Sequence, residues 1–71
     1  YATSNVEAPV AGTVLRLLKA NGDTVAQDES VIIIESMKME LEVKSKVAGA
    51  ITYRIGAGES AVAGQALAVV C

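Results

Sequence analysis

Lys38 is the side chain in this sequence that is best placed to do chemistry, because it stands between two methionines, Met37 and Met39. Residues 31–34 before it form a β-branched run, Val-Ile-Ile-Ile, and residues 41–44 after it, Leu-Glu-Val-Lys, alternate between apolar and charged. Both patterns favour β-strand. The sequence therefore predicts a β-hairpin with Met37 and Lys38 at its tip, where the ε-amine of Lys38 would be exposed as a nucleophile.

The residues of this predicted turn are unusual for their position. A two-residue hairpin turn usually needs positive φ angles, which Asn and Gly adopt more easily than Met or Lys. Exposed methionines at a hairpin tip also leave apolar surface in water without a gain in folding stability. An ordinary solvated lysine does not account for these two costs. The pattern therefore indicates a turn that presents Lys38 for modification.

Residues 35–40, Glu-Ser-Met-Lys-Met-Glu, resemble the attachment motif of biotinyl domains, the biotin carboxyl carrier modules of biotin-dependent carboxylases, decarboxylases and transcarboxylases. The resemblance implies that Lys38 carries covalent biotin as an amide, with Met37 and Met39 as the flanking motif. It implies a non-catalytic domain that shuttles CO2 as carboxybiotin between active sites. The implied partners are a biotin protein ligase and the biotin carboxylase and carboxyltransferase domains or subunits of the enzyme.

Two other functions stay open at the level of sequence. Lipoyl domains share the duplicated fold and the hairpin lysine, but they usually have an acidic residue before that lysine and alanine after it. Methionine occupies both positions in this chain. An unmodified structural or interaction module would have the same strands and a lysine that is never acylated. A modification on Lys38 separates these alternatives.

The chain of 71 residues predicts one domain, residues 1–71. Hydrophobic residues make up 52% of the chain, but it has no Phe or Trp, so the core must be a thin layer of branched aliphatic side chains between sheets. The net charge is −2 and the six cations are scattered, which argues against nucleic acid as a partner. No apolar stretch reaches the ~18 residues of a membrane span, so we expect no membrane insertion.

Histidine is absent, Cys71 is the single cysteine and the carboxylates are dispersed, so the sequence shows neither a plausible catalytic triad nor a metal cluster. The single cysteine cannot form an internal disulfide. Glu35, Glu40 and Glu42 are expected to be surface charges and ligase contacts rather than acid/base catalysts. A lone cysteine suits the cytoplasm or another reducing intracellular compartment, with the mitochondrial matrix as an alternative. Because the sequence begins at Tyr1 and not at Met, we expect a piece of a longer polypeptide or a processed product.

The chain also contains an internal repeat. The tripeptide Val-Ala-Gly of residues 10–12 returns at 47–49, and Gly-Asp-Thr of residues 22–24 is echoed by Gly-Glu-Ser at 58–60. The first pair is 37 positions apart and the second pair 36, so one residue is missing between these landmarks in the second copy. Gly12 and Gly49 are expected to occupy equivalent positions near a symmetry axis, where a side chain would crowd the facing sheet or force an unfavourable φ angle.

Each copy of the repeat predicts the same order of elements. A strand at 13–18 or 50–55 leads to a Gly-containing turn, a short strand, a second turn with Asp28 or Gly64 in a left-handed conformation, and a β-branched strand. The predicted fold is all-β, a flattened barrel-sandwich of two antiparallel sheets with pseudo-twofold symmetry, formed by two facing units. The repeat aligns the hairpin tip with the region just past residue 70. We therefore expect Lys38 at the opposite end of the molecule from both chain ends.

Overall fold

The structure is a computed structural model that describes residues 3–71, and all the regular elements in this range are β-strands. The strands are β1 (Ser4–Glu7), β2 (Gly12–Leu17), β3 (Thr24–Val25), β4 (Ser30–Ser36), β5 (Met39–Lys44), β6 (Gly49–Tyr53), β7 (Ser60–Ala61) and β8 (Ala66–Val70). The predicted all-β class is confirmed. The long strands after the glycines begin one residue earlier than predicted and end one or two residues earlier.

The strands form two four-stranded sheets, with the orders β1-β8-β6-β3 and β5-β4-β2-β7. Every pairing between neighbouring strands is antiparallel. One sheet order becomes the other when each strand is replaced by its equivalent half a chain away. The equivalent pairs are β1 and β5, β2 and β6, β3 and β7, and β4 and β8. The predicted pair of antiparallel sheets with internal pseudo-twofold symmetry is confirmed.

The structure differs from the expectation of one sheet for each unit, because each sheet combines two strands of the first unit with two strands of the second. The first strand of each unit pairs with the other unit, β1 with β8 and β5 with β4. The short strand β3 of the first unit pairs with β6 of the second, and the short strand β7 of the second unit pairs with β2 of the first. The two units therefore exchange their short strands. Each sheet is complete only when both units contribute to it.

A bulge in β2 explains why the repeat spacing changes from 37 to 36. Val14 and Arg16 pair with two consecutive residues of β4, Ile34 and Ile33, so Leu15 has no partner across the ladder. The equivalent pairing of β6 with β8 runs without such a break. Leu15 is therefore the extra residue of the first unit, and the bulge accommodates it without loss of register.

The core lies between the two sheets and consists of branched aliphatic side chains, as the composition predicts. Its largest fully buried members are Ile32, Ile34, Ile51, Leu67, Val14, Val25, Val31 and Val70. Ser45 is the buried polar residue of the described range, and its hydroxyl donates a hydrogen bond to the carbonyl of Val47. Five of these eight residues lie in β4 and β8. The strand β4 continues directly into the hairpin tip.

Four tight turns connect the strands, and all four have the same construction. The third residue of each turn has a positive φ angle: Gly22, Asp28, Gly58 and Gly64. The side chain of the next residue accepts a hydrogen bond from the backbone N–H three residues earlier; these acceptors are Asp23, Glu29, Glu59 and Gln65. The predicted left-handed conformation of Asp28 and Gly64 is confirmed, at φ angles of 66° and 84°.

The distance between the hairpin tip and Cys71 follows from contacts along the molecule. A Cβ on Gly49 would touch Cys71, and Tyr53 at the other end of the same strand bonds to Val31. The β4 strand continues from Val31 to the tip. At about 3.3 Å per residue, β6 from Gly49 to Tyr53 and β4 from Val31 to its end have a combined length of roughly 30 Å. This is close to the 35 Å long dimension of the molecule. This agrees with the expectation that Lys38 lies opposite the C-terminal end at Cys71; the same expectation for the N-terminal end falls on residues 1–2, which lie outside the described residues.

Candidate functional site

Lys38 lies in a two-residue turn between β4 and β5, where Ser36 pairs with Met39. The φ angles of Met37 and Lys38 are 51° and 67°, so both residues are left-handed. Two consecutive residues with positive φ define a type I′ turn, which matches the twist of the flanking strands. The predicted hairpin tip is confirmed. Its conformation costs about 1–2 kcal/mol for each residue that is not glycine.

The side chains of the tip project into solvent. Met37 is 92% exposed and Met39 is 62% exposed, and Lys38 is also exposed. No pocket is found on the surface formed by residues 3–71, and Lys38 takes part in none of the ion pairs or hydrogen bonds of that range. The structure therefore presents a primary amine that a partner can reach from several directions. Within the described residues, no carboxylate forms an ion pair with this amine.

The carboxylates around the tip lie on the outer face of the hairpin. Glu35 and Glu40 are direct cross-strand partners, and both are exposed. Glu42 is exposed as well and accepts a hydrogen bond from the hydroxyl of Ser30. Like charges placed directly opposite each other destabilise a hairpin slightly. The expected surface position of the three glutamates is confirmed, and their role as ligase contacts stays a prediction.

The inner face of the hairpin anchors it to the core. Ile34 and Val43 are buried and Leu41 is partly buried, whereas Met39, next along the same face, projects beyond the core. The hairpin therefore changes from a packed element to an exposed one within about two residues of Lys38. Packing at this boundary decides how firmly the tip is held.

Gly12 lies at this boundary, at the start of β2 and beside β4. A Cβ built on Gly12 would overlap the carbonyl oxygen of Glu35 and would lie 2.7 Å from Cγ2 of Ile34. At Gly49 a Cβ would lie 2.6 Å from the carbonyl oxygen of Cys71 and 3.1 Å from Cγ1 of Val70. A Cβ would meet equivalent obstacles at the two glycines, as expected, but Gly49 has a φ angle of 159° and Gly12 is not among the glycines with positive φ. A side chain would crowd a neighbouring strand end, however, and not the facing sheet.

Polar contacts that the sequence did not predict hold the other end of the hairpin. The hydroxyl of Tyr53 donates a hydrogen bond to the carbonyl of Val31 at 2.8 Å and accepts one from the backbone N–H of Lys19 at 3.1 Å. Burial raises the pKa of Tyr53. Tyr53 thus connects β6 of one sheet to the first residues of the hairpin in the other. A single tyrosine far from the motif carries no sequence signal for this role.

An ion pair lies beside this contact. Nζ of Lys19 is 2.6 Å from Oε2 of Glu29. The hydrogen bond from Lys19 lowers the pKa of Glu29, with a further contribution from the N–H of Ala26, and the contact with Glu29 raises the pKa of Lys19. The ion pair is partly exposed, so it contributes little to stability. Its position connects the end of β2 to the start of β4.

The described residues contain neither a metal site nor a membrane-spanning helix. Within residues 3–71, no group of three or more His, Cys, Asp or Glu side chains is arranged to hold a metal ion. In the same range, no helix has the length and apolar character needed to cross a membrane. The exposed amine of Lys38 is therefore the strongest candidate site in this part of the chain.

Comparison with known protein families gives a match over nearly the whole described range. A family model described as "Biotin-requiring enzyme" matches residues 4–70. The chain is 36% identical over 67 residues to the biotin carboxyl carrier protein of Streptococcus mutans, covering 93% of this chain and 52% of that protein. The chain thus spans about half the length of this relative.

A second relative and a solved structure agree with this match. The biotinylated protein TB7.3 homolog of Mycobacterium leprae is 31% identical over 67 residues, which cover 93% of this chain and 94% of that protein. The crystal structure of the Kluyveromyces lactis urea carboxylase contains a similar fold, with a TM-score of 0.93 and 28% identity. The match covers 100% of this chain and 6% of that one. The fold thus occurs both as a small protein and as a minor part of a large enzyme.

Proposed function

The chain belongs to the family of biotin-requiring enzymes, and on that premise we propose that Lys38 is the residue to which biotin is attached. The observation that carries this proposal is the type I′ turn, which holds Lys38 exposed between two exposed methionines at a cost in backbone energy. The residues fit a covalently attached group, because the amine is accessible and has no competing partner in the described range. Met37 and Met39 are proposed as the flanking recognition motif.

Attachment needs chemistry that this chain does not contain. The Nζ atom of Lys38 forms an amide with the carboxyl carbon of biotin, and one water is lost overall. The amine must give up a proton to attack, and among residues 3–71 its side chain has no ion-pair partner that could take it. We therefore propose a biotin protein ligase as the partner that activates the carboxyl group and removes the proton. The chain contributes the position and exposure of the nucleophile.

The domain is a biotin carrier of the kind found in biotin-dependent carboxylases. Attached biotin supplies a site that accepts and releases a carboxyl group. The chain's own part is to hold the tip clear of the core, so that the arm can enter the active sites of other domains. A tether to those domains raises the effective concentration of the arm at each site. Biotin carboxylase and carboxyltransferase domains or subunits are therefore the proposed further partners.

The location of the protein belongs to the same proposal. The proposed location is a reducing intracellular compartment, where the exposed thiol of Cys71 would stay unpaired. Fractionation of the natural source with an antibody or a streptavidin probe tests this location.

The proposal is tested by the mass of the intact chain after co-expression with a biotin protein ligase in medium that contains biotin. We expect an increase equal to one biotin minus one water, and peptide mapping should place it on Lys38. The matched control is Lys38→Arg, which keeps the positive charge but lacks the primary amine. We expect no increase in mass for this variant. A label on Lys44 or Lys46 in the wild-type chain would refute the assignment.

The same measurement separates the two alternative functions. A mass increase corresponding to a lipoyl group, produced by a lipoate ligase and not by a biotin ligase, would identify a lipoyl carrier. An unlabelled chain, under conditions in which a known biotin acceptor is fully labelled, would identify an unmodified interaction module. The relatives' names favour biotin over both outcomes.

A further inference from the structure

We infer that Gly12 is a positioning residue for the biotin attachment site, because it sets how the hairpin tip projects from the domain. The inference rests on the proposed role of Lys38. Gly12 is 26 positions from Lys38 in sequence and has no contact with the amine. It acts through Glu35, whose carbonyl oxygen lies against the face of Gly12 that would carry a side chain.

The position of Gly12 in the sheet is what gives it this effect. The β2–β4 ladder starts at Thr13, which pairs with Glu35, and continues away from the tip. Gly12 is therefore the first residue of β2 beside the emerging hairpin. The next residues of β4 and of the turn are exposed or only partly buried. A displacement of β4 at Glu35 is thus transmitted to Lys38 with little packing to oppose it.

The absence of a side chain allows the two backbones to approach closely at this point. A Cβ on Gly12 would meet a backbone oxygen and a buried Ile34 methyl at 2.7 Å. Neither obstacle is a flexible side-chain end, because Ile34 is fully buried in the core. The strand β4 would have to move, and the hairpin tip would move with it. Interior packing transmits such shifts because it has few voids to absorb them.

Internal symmetry supplies a matched control. Gly49 is the equivalent residue of the second unit, and a Cβ there would meet a backbone oxygen and a buried methyl in the same arrangement, from Cys71 and Val70. The two obstacles lie at the end of β8, on the half of the molecule that lacks the lysine hairpin. Gly12→Ala and Gly49→Ala therefore create similar overlaps, and Gly49→Ala adds backbone strain because Gly49 has a φ angle of 159°. Gly49→Ala is thus at least as severe a change, but only Gly12→Ala displaces the tip that carries Lys38.

The test measures the rate of biotin attachment for wild type, Gly12→Ala and Gly49→Ala, with a biotin protein ligase, ATP and varied concentrations of the domain. Rates are divided by the folded fraction from circular dichroism. Because a misplaced nucleophile loses its attack geometry, small displacements can reduce rates by up to about 100-fold. We expect kcat for Gly12→Ala to fall at least 10-fold with a smaller change in KM. Gly49→Ala should stay within about twofold of wild type.

A second measurement needs no ligase and therefore separates this inference from the proposed function. Backbone amide chemical shifts of residues 36–40 should change in Gly12→Ala and stay unchanged in Gly49→Ala. If either variant is partly unfolded, both measurements are repeated in an osmolyte that favours the folded state.

Two results would overturn the positioning role of Gly12. The first is equal kcat values for the two variants, and the second is tip amides that do not respond to Gly12→Ala. If Gly12→Ala shifts the tip amides but the wild-type chain is never labelled, the proposed function is refuted and the positioning role of Gly12 stands.

Discussion

Replacement of Lys38 by glycine should make the domain more stable while it destroys the attachment site. Lys38 has a φ angle of 67°, which costs about 1–2 kcal/mol for a residue with a Cβ. Glycine removes that cost but adds about 0.5–1 kcal/mol of conformational entropy to the unfolded chain. The expected net gain is about 0.5–1 kcal/mol, because an exposed turn side chain contributes little packing.

Two control variants isolate the backbone effect. Lys44→Gly changes an exposed lysine in β5 that lacks a positive φ angle, so it should lower stability by about 0.5–1 kcal/mol. Lys38→Arg keeps both the Cβ and the charge, so its free energy of unfolding should stay within about 0.5 kcal/mol of wild type. The free energy of unfolding should therefore rise in Lys38→Gly, fall in Lys44→Gly and stay unchanged in Lys38→Arg.

Urea unfolding followed by circular dichroism gives these differences, and thermal melts give a second measure. For a domain of this size the expected gain corresponds to a rise in Tm of roughly 2–8 °C. Lys38→Gly must also remain unlabelled by the ligase. The reasoning is refuted if Lys38→Gly lowers stability as Lys44→Gly does, because the turn would then store no backbone strain.

Three further changes test the site and its supports. Exchange of the two turn residues, Met37→Lys with Lys38→Met, should reduce labelling steeply because neighbouring turn positions point in different directions; full labelling in the intact-mass assay would show that local sequence alone is recognised. Glu29→Gln should remove the Lys19 ion pair but keep the turn hydrogen bond. The depressed pKa of Glu29 adds stability above its unfolded value, near pH 4.5, that is lost as the pH falls. The free energy of unfolding, from urea melts between pH 3 and pH 5, should therefore depend less on pH in this variant than in wild type. An unchanged pH dependence contradicts the assignment. Tyr53→Phe should cost about 1–2 kcal/mol by urea melt, because the Val31 carbonyl loses its donor; no loss would mean that water replaces the hydroxyl.

Much of the fold could be predicted because local signals agreed with one another. The change from a β-branched run to an alternating one predicted the hairpin, and Gly22, Gly58 and Gly64 predicted turns. The exchange of short strands could not be predicted, since two-residue strands such as Thr24–Val25 are too short to show a period. The bulge at Leu15 was visible only as a change in repeat spacing.

The attachment site divides in the same way. Met37, Lys38 and Met39 are neighbours in sequence, so their chemistry could be inferred before their geometry was known. The supports of the tip depend on contacts between distant residues. Gly12 lies against Glu35 and Tyr53 reaches Val31 only because the sheets bring them together. Such pairs have no local pattern, and they require the tertiary structure.

The exchange of short strands has a consequence for the order of events during synthesis. The sheet that carries the lysine hairpin ends at β7, which is formed by Ser60 and Ala61. A growing chain that has already exposed Lys38 therefore still lacks one edge of that sheet until residue 61 has left the ribosome. An enzyme that requires the folded hairpin would meet its substrate only when the domain is almost complete. The topology thus couples modification to completion of the domain, and truncated chains would remain unlabelled.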